Sequence, residues 1–171
     1  AFEDETSVVL SAVTVSSPLS IRAPGFYVQD AGGGEWAGMW IYTGDTAVEV
    51  AQGDVVSVVG TTVEYFGLTE VMTGEGGVTL SGSSADVAVL ALDEIPADWE
   101  NYESVVVSLS EVTFTGELDS ADEPMTNWGI AIEDTFMDLD LGTSYASVTG
   151  VLTYNYDTYK IAPRSLADLV D

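Results

Sequence analysis

The chain repeats itself, and the repeat limits its fold more than any other feature. Gly25-Phe26-Tyr27-Val28-Gln29-Asp30 is matched by Gly129-Ile130-Ala131-Ile132-Glu133-Asp134. Gly60 to Val71 aligns without a gap with Gly150 to Ile161, and Ser7-Val8-Val9-Leu10-Ser11 with Ser104-Val105-Val106-Val107-Ser108. Three matches in one order imply a duplicated β unit, each copy roughly 80 residues long. Each copy is long enough for a modest core, and packing the two together would bury more.

The local signals are those of strands. Thr6 to Val15, Val55 to Tyr65 and Tyr102 to Phe114 are rich in Val and Thr, and Asp30-Ala31-Gly32-Gly33-Gly34 and Gly53-Asp54 are turn sequences. Trp36 to Tyr42, Leu68 to Met72, Val78 to Leu92, Trp128 to Glu133, Tyr145 to Tyr154 and Tyr159 to Ile161 read as further strands, and Asp119 to Pro124 as a polar loop. Only Ser165 to Val170 has a helical look, with Ser165 at the N-cap position. The expected organisation is a first domain at 1–92, a linker at 93–101 and a second domain at 102–171. Five or so strands per unit and no sizeable helix suggest small barrels. Between the aligned glycines the first unit has about 14 more residues than the second, mostly the glycine turn and the Trp36–Tyr42 strand.

Composition narrows the function. Three basic residues (Arg22, Lys160, Arg164) face 29 acidic ones, a net charge of −26. That field repels phosphate backbones and anionic lipid and disfavours direct nucleic-acid binding. Salt screens such self-repulsion, so the composition suits a salty medium. Cysteine and histidine are both absent, which removes thiolate chemistry and the commonest general base. No apolar run approaches the roughly 20 residues of a spanning helix. The acidic lead-in 1–6, opening on Ala1, fits a mature chain after signal-peptide removal or an excised piece.

The run GFYVQD, a glycine turn and then GDVVSVVGTTVEYFGLTEV resembles the OB-fold modules of bacterial extracellular proteins. These modules stand beside secreted nucleases of the endonuclease/exonuclease/phosphatase type, lamin-tail domains and surface anchors. A second unit beginning like ENYESVVVSLSEVTFTG and ending like GVLTYNYDTYKIAPRSLADL completes the likeness, from about Ser7 to Leu169. The resemblance implies an all-β protein of two tandem OB-like small β-barrels, secreted or at the cell surface. It implies no catalysis, because the nuclease active site of that family needs histidine.

Two constellations are candidate sites. Tyr27 and Gln29 share one face of a strand, and Trp40 and Tyr42 one face of the next. On an OB barrel that face is the usual ligand platform, where flat rings stack on bases or sugars. Without nearby positive charge a neutral glycan fits better than DNA; the competing reading is that Trp40 and Tyr42 are core, with Met39 and Ile41 outside, or form a subunit contact. Asp134, Asp138 and Asp140 bring hard oxygen ligands together as calcium requires, with Asp138 and Asp140 on one face if the segment is a strand. Asp119, Asp122 and Glu123 form a second acidic group, and Lys160, aligned with Glu70, reads as a strand-edge charge. No serine lies in a nucleophile elbow, and Gly32-Gly33-Gly34 lacks the ending of a phosphate loop. The expected function is a non-catalytic extracellular structural or assembly subunit, associating with itself or with other extracellular proteins. The alternatives are a carbohydrate-binding module and a calcium-dependent accessory module of the kind found with extracellular nucleases.

Overall fold

A computed structural model describes residues 6–171; Ala1 to Glu5, and with them most of the acidic lead-in, lie outside the described residues. The protein is all-β, with two sheets that each close on themselves. In the first, β1 (Ser7–Val15), β2 (Gly25–Gln29) and β3 (Gly38–Tyr42) form a meander, and β4 (Asp54–Tyr65) and β5 (Leu68–Met72) form a hairpin. β3 runs parallel to β5, and β1 pairs with β4 to close the ring. β6 (Val78–Ser84) then extends the sheet along the first half of β4. After β7 (Leu90–Leu92), the ring is built again from β8 (Val106–Leu118), β9 (Pro124–Thr126), β10 (Ala131–Ile132), β11 (Ser144–Asn155) and β12 (Thr158–Ala162). Here β10 runs parallel to β12, β8 pairs with β11, and β13 (Leu169–Val170) lies on β11 where β6 lies on β4. Each is therefore an OB-like five-stranded barrel, with one strand added in the first (β6) and two in the second (β7 and β13). Among the described residues no helix is long and apolar enough to cross a membrane.

Period-two alternation sends one side of every strand into a barrel. Phe26, Val28, Ile41, Val56, Val58 and Val71 fill the first. Val107, Leu109, Ile130, Ile132, Val148, Leu152 and Ile161 are among those that fill the second. The duplicated hairpins superimpose in register: Thr62 faces Val71 as Leu152 faces Ile161, and Tyr65 faces Leu68 as Asn155 faces Thr158. Their two-residue turns, Phe66-Gly67 and Tyr156-Asp157, all have positive φ, the geometry whose twist suits a tight hairpin. Gly60 and Gly150 are equivalent for a steric reason. A Cβ on Gly60 would overlap the Met72 carbonyl and Val71, and one on Gly150 would overlap the Ala162 carbonyl and Ile161. β1 and β8 also bend at matching residues with positive φ, Ala12 (57°) and Glu111 (49°). Such a bend lets one long strand serve two neighbours around a barrel.

Other expected correspondences shift. Gly129–Asp134 is the twin of Gly38–Thr43, not of Gly25–Asp30, because Ala131 faces Lys160 as Trp40 faces Glu70. The twin of β2 is β9, inside and just beyond the expected polar loop. The connections at 43–53 and 133–143 then have the same length, so the longer excursion expected between the second and fourth strands of the first unit is confined to the β2–β3 loop, which carries the glycine turn and Trp36. The first unit's additional residues lie in the loops 16–24 and 30–37. Upstream, Val8 faces Gly60 and Val107 faces Gly150, so the Ser7 and Ser104 segments match two residues out of step. An even slip keeps every side chain on its face, so the residue pattern alone could not detect it. The helix at Ser165–Val170 does not form: a short 3-10 turn at Leu166–Asp168 leads into β13, and Ser165 makes no side-chain cap. The second sheet also starts before the expected linker 93–101, since β7, within 1–92, pairs with β8.

Candidate functional site

The aromatic face of β2 and β3 is where the barrels meet. Tyr27 and Trp40 are cross-strand partners with ring centroids 4.6 Å apart, and Phe136 of the second barrel meets Tyr27 edge-on at 6.1 Å. Val106, Val151 and Ala162 complete the cluster, with Tyr42 packed at its margin. The Tyr27 hydroxyl donates to Thr153 Oγ1 at 2.7 Å. Gln29, 1% exposed, accepts from the Val106 N–H at 2.8 Å and donates to the Ala88 carbonyl at 2.8 Å. Burial, with the nearby acidic Glu133, Glu103 and Glu70, raises the Tyr27 pKa and keeps the phenol neutral. Tyr27, Gln29 and Trp40 thus form no open glycan platform: the second barrel covers them. Met39 and Ile41 face the interior of the first barrel, so Trp40 and Tyr42 are not its core either. They are outward-facing side chains whose solvent has been replaced by another domain.

Glycine sets how closely the two barrels approach. A side chain at Gly38 would overlap the Ser104 carbonyl, and one at Gly67 would strike the Tyr154 ring. Polar ties surround the apolar centre: the Trp36 N–H donates to the Asn101 carbonyl at 2.7 Å, Ile21 N–H to the Thr135 carbonyl at 2.9 Å, and Tyr102 hydroxyl to Glu35 at 3.0 Å.

Glu103 is the unusual member of this joint. Its Oε1 accepts from the Thr69 N–H at 3.0 Å, while its buried Oε2 has no partner. Burial first, then the charges of Glu100 and Glu64, push its pKa up to about 8 despite the Thr69 bond. Glu70, its neighbour on β5, is also raised by burial and by Glu64. Tyr159, whose hydroxyl donates to Glu100 at 2.6 Å, is likewise raised. At neutral pH Glu103 is a neutral hydrogen-bonding acid between the barrels.

The acidic candidates are held by the few cations. Asp134 receives two hydrogen bonds from the Arg22 guanidinium, and Asp138 lies 3.3 Å from the same group. The segment carrying Asp138 and Asp140 is a loop, so the two carboxylates do not share a strand face, and both residues are exposed. Arg22 thereby ties the first barrel to the second. No group of three ligating side chains converges on a point among the described residues.

Sequence reasoning misread Lys160. It is not an edge charge but fully buried, 2.9 Å from Asp119 and hydrogen-bonded to Glu123, with the Tyr156 ring 5.4 Å away. Burial opposes its charge, yet Glu123 and Asp119 outweigh that and raise its pKa, so it stays an ammonium and no nucleophile. Asp119, bonded to Lys160 and to the Glu123 and Ala121 N–H groups, is held down despite burial. The available signal was the alignment itself, a lone lysine in a hairpin otherwise matched to an acidic one. Arg164, the third cation, pairs with Asp168 at 2.9 Å. All three basic residues of the chain are thus in ion pairs.

A shallow depression of about 330 Å³ on the second barrel is lined by Asp122, Glu123, Ile132, Asp134, Leu139 and Leu141, among others. Comparison of the chain with protein-family models, curated proteins and solved structures finds no match.

Proposed function

We propose that this chain is a non-catalytic structural subunit of the cell surface or extracellular matrix, secreted and built from two modules of the OB type that accompany extracellular nucleases. One observation carries the assembly role: among the described residues β6 borders only β4, every one of its residues is partly or fully exposed, and Val78 to Ser84 contains no charge in a chain of −26. An uncovered strand edge is a template for another strand, and charge is the usual device that blocks it. Covering of the aromatic face by the second barrel supports a building block over a glycan binder. The field of the acidic surface restrains association until salt or a divalent ion screens it.

Sedimentation velocity and negative-stain electron microscopy, at low and high salt and with calcium or chelator, test the reading. Oligomers that grow with screening, and that Leu80→Lys on β6 abolishes, are expected. A strict monomer under every ionic condition would overturn it.

A further inference from the structure

The duplication extends to the accessory strands, with one position left open. In the second barrel β7 lies parallel to the start of β8, with Leu90, Ala91 and Leu92 opposite Val107, Ser108 and Leu109. The twin of that stretch is Val8–Leu10, since Val8 and Val107 face the equivalent glycines. Among the described residues no strand lies beside Val8–Leu10 on the corresponding side. There β1 borders only β4, and it meets β2 only at Thr14 and Val15.

The direction of the backbone groups follows from the ladder. Opposed residues of an antiparallel pair either exchange both hydrogen bonds or neither. The Val59 N–H donates to the Gly77 carbonyl at 2.8 Å, away from β1, so Val9 and Val59 exchange neither. The N–H and C=O of Val9 therefore point to the open side, as do those of Ser7 two residues earlier. The Thr62 N–H bond to the Thr6 carbonyl, 2.9 Å, fixes the same alternation. In the twin it is Ser108 whose groups face β7.

Side chains agree with the backbone. Where the second barrel has Ser108 and Thr149, hydrogen-bonded at 3.0 Å and half-buried, the first has Val9 and Val59, 65% and 56% exposed. Leu92 packs on the second core, and among the described residues the first core has no counterpart of it.

We infer that Ser7–Leu10 is a strand acceptor. Its occupant is an extended segment of another polypeptide, running parallel to β1 and carrying aliphatic side chains at alternate positions around a small residue. The filled twin sets that chemistry through Leu90-Ala91-Leu92. The inference rests on the reading of the chain as an assembly subunit but concerns a different edge from β6.

The test titrates the isotopically labelled full chain with a synthetic peptide of residues 88–93 and follows backbone amide signals by NMR. Saturable shifts of Ser7, Val9 and Val59 are expected, with slowed hydrogen exchange at Val9. The same peptide N-methylated at Leu92, which lacks the N–H that would reach the Val9 carbonyl, should produce none of this. Val9→Pro should also lose the response while keeping the β1–β4 ladder, because the Val9 N–H does not enter it. The methylated peptide settles the matter should that variant fail to fold. Equal binding of both peptides, no shift at Ser7–Leu10, or shifts confined to Val107–Leu109 would overturn the inference. Loss of the Ser7 and Val9 signals on raising protein concentration without peptide would mean that a second copy fills the seat, which overturns the choice of occupant. Sedimentation of the unmodified chain is read separately, so a failed seat and a failed assembly are distinguishable.

Discussion

Replacing Glu103 by glutamine should remove a pH dependence from the joint between the barrels. The folded chain holds the Glu103 proton up to about pH 8, against an ordinary value of 4.5. Between those values the folded state binds one more proton than the unfolded state, so stability falls as pH rises through the window and is level outside it. One such group changes unfolding free energy by about 1.4 kcal/mol per pH unit, so the full window spans roughly 4–5 kcal/mol. Relaxation and water entry around a nearly buried carboxyl reduce this to about 2–3 kcal/mol. The charged groups that act on it, Glu100 on its own barrel and Glu64 on the other, are both acidic, so neither offsets the new charge. Glutamine keeps the oxygen that accepts from Thr69 and cannot ionise. Urea unfolding at fixed high salt and pH 5, 7 and 9 should give similar stabilities at pH 5 and a more stable Glu103→Gln at pH 9. Curves that remain parallel across the range would refute the assignment of a neutral acid to the joint.

Lys160→Met leaves Asp119 and Glu123 buried without their cation and should cost about 3–5 kcal/mol. The loss should be smaller at pH 5, where a carboxyl can take up a proton, and a loss below about 1 kcal/mol by urea titration would contradict the buried triad. Trp40→Ala should lower stability by about 3 kcal/mol through a void between the barrels. It should leave a glycan array equally silent, whereas array binding by the parent that this variant loses would restore the platform reading.

How much was legible depended on what each residue's signal refers to. Gly60 and Gly150 were readable because eleven residues of matched alternation follow each, and register is the property that alternation encodes. The pairing of Gly25 with Gly129 misled because a short apolar strand after glycine looks alike on β2 and β3. Tyr27 and Trp40 looked like a platform because outward aromatics read the same whether water, ligand or another domain covers them. Lys160 was invisible because its burial is produced by the 119–123 loop, some forty residues upstream in sequence. The shift of Glu103 likewise depends on Glu64 and Thr69 from the other barrel.

The union of the barrels has a direction. The outer face of β2 and β3 in one meets the outer side of β8, β11 and β12 in the other, two unlike surfaces, and unlike surfaces can in principle repeat without limit. In the second barrel the counterparts of Tyr27 and Trp40 are Met125 and Ala131, and there the loop bearing Asp119 and Glu123 folds down onto Lys160 in place of a further barrel. The buried ion triad is thus the molecule's own end-cap, as polar terminal repeats are in solenoids. With that face of the second barrel covered by its own loop, the proposed assembly is left the strand edges, and not a repeat of this contact, as the surfaces for building outward.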